Sequence, residues 1–91
     1  MIMKVKPNYV LREVADTWIV LPLADSNLDL NVMLSVTESG AILWKHLEQG
    51  CDQQTLVDAL MNEYEVSEEQ CRADVIKFIN KLEQFGCLET D

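Results

Sequence analysis

The stretch that decides the fold runs Thr37-Glu-Ser-Gly40-Ala-Ile-Leu-Trp44-Lys-His-Leu47-Glu-Gln-Gly50, continues through Leu56-Val57, Leu60 and Tyr64, and ends in Ser67-Glu-Glu-Gln70-Cys71, Asp74-Val75, Phe78-Ile79, Leu82 and Phe85-Gly86-Cys87-Leu88. Ala41, Trp44 and Leu47 recur at helical spacing, and Ile42 and Leu43 widen the stripe. Thr37 is a good N-cap, Glu38 favours the first turn, and Gly50 stands where a C-terminal glycine belongs. Asp52 caps a second helix carrying Leu56, Val57, Leu60, Met61 and Tyr64. Ser67-x-x-Gln70 reads as a capping box opening a third helix, which runs to Phe85 and stops at Gly86. In that helix Cys71, Val75, Phe78, Leu82 and Phe85 form a core stripe. Arg72, Ile76, Ile79 and Glu83 form a second stripe beside it. Its two isoleucines read either as packed on a sheet or as one wall of an apolar groove.

Upstream the pattern changes from helical to period two. Residues 1–7 read as an extended arm ending at Pro7. Tyr9–Val14 is a strand candidate, Ala15-Asp16 a tight connection, and Thr17–Leu21 a second strand rich in β-branched and aromatic residues. Pro22 argues against continuation, and Ala24-Asp25-Ser26-Asn27 is turn chemistry. Leu30–Val36 alternates, with Leu30, Val32, Leu34 and Val36 on one face and Asn31, Met33 and Ser35 on the other, which predicts a half-buried strand. The fold class expected is α+β, winged helix-turn-helix-like: a three-stranded antiparallel sheet over about 9–36, then three helices over about 37–86, in a single domain spanning 1–91.

Size and charge narrow the function. With 91 residues, 48% hydrophobic and 25% charged, the chain has the profile of an ordinary soluble domain. It holds no apolar run near the roughly 20 residues of a membrane helix. No apolar segment follows the early lysines, so the N-terminus does not read as a secretory signal, and the location expected is cytoplasmic. The net charge of −9 repels phosphate backbones, and the bases form no patch. Between Ser67 and Gly86 four acidic side chains face three basic ones, the wrong balance for a helix entering a DNA groove. Winged-helix DNA binding is therefore the alternative rather than the first reading, with a generic protein-interaction module as a third.

Chemistry-bearing sets are missing from the sequence. Cys51, Cys71 and Cys87 lack metal-ligand spacing and read as reduced thiols acting as small hydrophobes. The single histidine, His46, sits at a solvated helix position, and no nucleophile–base set can be proposed around it. No glycine-rich phosphate loop occurs. The chain reads as non-enzymatic and as needing no cofactor or metal.

Asp29, then Leu30–Val36, then Thr37-Glu-Ser-Gly40-Ala-Ile-Leu-Trp44 resembles the PqqD-family pattern of an Asp-containing strand leading into a Thr-Gly-Ala-x-x-Trp helix start. The Leu47…Gly50 helix end, Tyr64 closing the second helix, and Asp74-Val75-x-x-Phe78-Ile79-x-x-Leu82 before Gly86-x-Leu88 continue the likeness over roughly 9–88. Val32 stands where the family often has glycine. The resemblance implies a RiPP recognition element, which binds the leader of a ribosomally made precursor peptide as an extra strand and delivers it to a modifying enzyme, of radical SAM type by family analogy. It implies a peptide site of Asn31, Val32, Met33, Leu34 and Ser35 on the third strand, opposed by Arg72, Ile76 and Ile79 on the third helix. A monomer and a strand-exchanged dimer are both compatible with such an edge.

Overall fold

The computed structural model describes residues 2–22 and 34–90. In chain order the elements are β1 (Met3–Val5), β2 (Tyr9–Val14), β3 (Thr17–Pro22), β4 (Leu34–Val36), α1 (Glu38–Gln49), α2 (Gln53–Glu63), α3 (Glu68–Phe85) and β5 (Leu88–Thr90). The strands β2, β3 and β4 pair antiparallel in that order. The expected α+β arrangement of a three-stranded antiparallel sheet followed by three helices is present. Of the expected third strand, Leu34–Val36 is described, whereas Asn31, Val32 and Met33 lie outside the described residues.

The helix boundaries follow from their caps. Thr37 Oγ1 accepts from the Gly40 amide at 3.1 Å, and Asp52 Oδ1 accepts from both the amide and the hydroxyl of Thr55. These bonds satisfy amides that a helix start leaves without intrahelical partners. The capping box of α3 is half made. Ser67 Oγ accepts from the Gln70 amide, but the Gln70 side chain donates forward to Asp74 instead of back to Ser67. At the other end Gly86 adopts φ 85°, its amide donates to the Glu83 carbonyl, and the Cys87 amide donates to the Leu82 carbonyl. This paired pattern closes a helix through a left-handed residue, which glycine accommodates without a Cβ clash.

The N-terminal arm is not loose. Met3–Val5 pairs antiparallel with Leu88–Thr90, and Met3 also exchanges backbone hydrogen bonds with Cys51. Met3 and Val5 are buried while Lys4 is exposed, a period-two signal too short to separate from a plain arm. β1 thereby ties both chain ends to the turn between α1 and α2.

The core joins Val20 and Val36 of the sheet to Leu43, Trp44 and Leu47 of α1, Leu56, Val57 and Leu60 of α2, and Val75 and Leu82 of α3. Lys45 lies 5.0 Å from the Trp18 ring centroid, a cation–π contact between α1 and β3. All three cysteines are buried and free, consistent with their reading as small hydrophobes.

On α3 the burial differs from the expected stripe. Cys71, Val75, Ile79 and Leu82 are buried, whereas Phe78 and Phe85 are half-buried. The core face is thus rotated toward Ile79, which leaves the Phe78 ring at its margin.

Candidate functional site

β4 is an edge strand. Among the described residues it pairs only with β3, through Trp18↔Val36, Ile19↔Ser35 and Val20↔Leu34. An unpaired edge presents N–H and C=O groups that a second extended chain can satisfy. Leu34 is half-buried, Ser35 exposed and Val36 buried, so the side chains alternate between the core and solvent as the sequence pattern requires.

Beside this edge α1 and α3 enclose a cleft of about 380 Å³. Gly40, Leu43, Leu60 and Phe78 supply its apolar surface, and Asp74, Lys77 and Lys81 supply charge along α3. A second hollow of about 350 Å³ continues it past Thr37 and Ser39 toward Tyr64, Val66 and Cys71. Thr37, Ser39, Leu60 and Asp74 line both, so the two form one trough. Burial, followed by the Glu38 and Glu63 carboxylates, pushes the Tyr64 phenol up, so it stays neutral and can donate one hydrogen bond and accept others. The site combines a backbone edge with an apolar, charge-flanked trough. That arrangement suits binding an extended chain.

Arg72, Ile76 and Ile79, the wall expected on α3, occupy three different environments. Arg72 donates to Glu68 at 2.6 Å and to Gln54 at 3.2 Å, which places its guanidinium against α2. Ile79 is buried in the core, and Ile76 is 44% exposed. None of the three lines the trough, whose α3 wall is Cys71, Asp74, Lys77, Phe78 and Lys81. The physical reason lies in helical geometry. At about 100° per residue, Asp74 and Lys81 lie within about 60° of Phe78 on one side, whereas Ile79 and Arg72 lie about 100–120° away on the other, with Ile76 farther round. A core stripe has two flanks, and periodicity alone does not say which one meets the sheet. The flank that faces the trough carries the large aromatic at 78, set against the small Gly40. Leu34 and Ser35 remain on the edge strand beside the trough.

The comparisons with known proteins bear on the same region. A family model described as Coenzyme PQQ synthesis protein D (PqqD) matches residues 17–88. No curated protein matches the chain significantly in sequence. Two solved structures share its fold. One is TbiB1 in complex with the TbiA(beta) leader peptide, with TM-score 0.74 and 24% identity over 97% of this chain and 96% of that one. The other is a lasso peptide synthetase B1 complexed with its leader peptide, with TM-score 0.73 and 15% identity over 97% of this chain and 98% of that one.

Proposed function

The chain belongs to the PqqD family, and from that premise we propose that it binds the leader segment of a ribosomally synthesised precursor peptide and presents it to a modifying enzyme. The leader adds as a strand to the free edge of β4, and its side chains enter the trough between β4, the start of α1 and α3. Backbone pairing supplies affinity that tolerates sequence change, and the trough supplies selectivity. The single observation that carries this reading is the coincidence of a strand edge, unpaired among the described residues, with an apolar trough at the same place. The leader complexes of the two structural neighbours support it. The protein itself performs no chemistry in this reading. The modifying enzyme is a radical SAM protein, and binding takes place in the cytoplasm where precursor peptides are made. A DNA-binding role is disfavoured by the acidic chain and by Glu68, which neutralises Arg72 on α3.

The test is a fluorescence-polarisation titration with labelled leaders of the short peptides encoded beside the gene. Saturable binding near micromolar, about −8 kcal/mol, that persists in moderate salt is the expected result. Failure of every leader to bind protein shown to be folded overturns the reading.

A further inference from the structure

Lys81 Nζ donates to the backbone carbonyl of Ser35 at 3.1 Å, bridging α3 to the edge strand β4. The bond is unusual in its placement, because it occupies an acceptor on the strand that a docking chain would pair with. Lys77 lies beside it on the same wall. Among the described residues neither lysine forms an ion pair, since the one present joins Arg72 to Glu68. The chain has seven basic residues and a net charge of −9, so two ammonium groups on one wall of the trough, without an ion pair among the described residues, stand out against an acidic background. Asp74 lines both hollows, and farther along Glu38 lines only the one toward Tyr64. The trough is therefore charge-polarised, basic beside Ser35 and acidic near the start of α1.

We propose that Lys81 is a latch on the β4 edge and that, once displaced, it joins Lys77 in selecting a ligand peptide that carries a carboxylate at that end of the trough. The inference rests on the peptide-binding reading above and adds the chemistry of the preferred ligand. An incoming strand that pairs with the Ser35 carbonyl competes with Lys81 for that acceptor. A freed ammonium in a partly desolvated trough is best satisfied by an Asp or Glu side chain of the incoming peptide. The carboxylate thus offsets the cost of opening the latch, and a peptide without one bears that cost uncompensated. Glu38 at the Tyr64 end repels the same carboxylate, so the polarity also fixes which way the strand runs.

The probe is the tightest-binding labelled leader, with each Asp and Glu changed singly to Asn or Gln. Each version is titrated at low salt against the wild type and against Lys77→Met and Lys81→Met, which keep the aliphatic stems and remove the charge. For the wild type, neutralising one acidic position should weaken binding about fivefold, the upper end for a partly exposed pair. In Lys81→Met the same change should cost less than about twofold, and the neutral peptide should bind at least as tightly as it does to the wild type. Thermal unfolding of both variants establishes that they are folded. Equal losses in wild type and variants overturn the inference while leaving peptide binding intact, as does a tightest leader that contains no acidic residue. Absence of binding by every leader overturns the inference together with the reading it rests on.

Discussion

A methyl group at Gly40 would lie 3.0 Å from Cε1 of Phe78 and 3.2 Å from Cβ of Val36. The start of α1 thus approaches α3 through a missing side chain, and the Phe78 ring rests where a Cβ would otherwise be. Gly40→Ala has two opposed effects. Alanine is better than glycine inside a helix by about 1 kcal/mol. Overpacking against Val36, whose Cβ is fixed to the strand backbone, costs about 1–3 kcal/mol. The expected net effect is a loss of about 1 kcal/mol in urea unfolding, with Phe78 displaced into the trough and leader affinity reduced. A rise in stability with unchanged affinity would show that the contact yields freely.

The two flanks of α3 make a sharper pair. Phe78→Ala is expected to weaken leader binding more than tenfold, or about 1.4 kcal/mol, because it removes the largest apolar surface of the trough's α3 wall. Ile76→Asp, on the exposed flank, should leave affinity unchanged and stability within about 0.5 kcal/mol. If Ile76→Asp weakens binding and Phe78→Ala does not, the peptide lies on the opposite side of the helix.

This pair also marks where sequence reading reached its limit. Caps at Thr37, Asp52 and Ser67 and the glycine stops at 50 and 86 are local chemistry, so the helices were legible almost to the residue. The alternation through Leu34, Ser35 and Val36 was equally legible. The choice between Ile76 and Phe78 depended on how α3 rolls against its neighbours, which a periodic pattern leaves open by one flank. The strand at Met3–Val5 was hidden for a different reason. Three residues of alternation mean little until a partner, here Leu88–Thr90, is known from far along the chain.

The β2–β3 connection holds a removable strain. Ala15 and Asp16 have φ of 51° and 66°, the left-handed pair that a two-residue hairpin of this twist requires. Alanine there carries a Cβ penalty of about 1 kcal/mol. Changing Ala15-Asp16 to Asn-Gly should raise stability by about 1 kcal/mol, read as a higher urea midpoint at unchanged slope. No gain would mean that the flanking pairs, Val14↔Thr17 and Glu13↔Trp18, impose the turn at no cost.

The N-terminal strand is held by burial as much as by pairing. Met3 is 2% exposed and packs into the main core. Met3→Ala should cost about 2–4 kcal/mol through lost burial and the cavity left behind. Lys4→Ala, on the exposed side of the same strand, should cost less than about 0.5 kcal/mol. Equal small effects in chemical unfolding would identify β1 as an arm that can leave without loosening the core.

Cys87 couples the same region to pH. Burial pushes its thiol up to about 11 against an ordinary 9.0, with a backbone hydrogen bond and Lys6 opposing the shift only in part. The folded protein therefore favours the neutral thiol, while the unfolded chain ionises near 9. Stability from this group is fully present below pH 9 and is lost as pH rises from there toward 11. Cys51 and Tyr64 are shifted in the same direction, each first by burial, and add to the slope. Urea midpoints measured across this window should fall for the wild type and fall less steeply for Cys87→Ala, the remainder belonging to Cys51 and Tyr64. Parallel slopes in the two proteins would mean that the thiol ionises without opening the contact between β1 and β5, and that the strand pair is looser than its burial indicates.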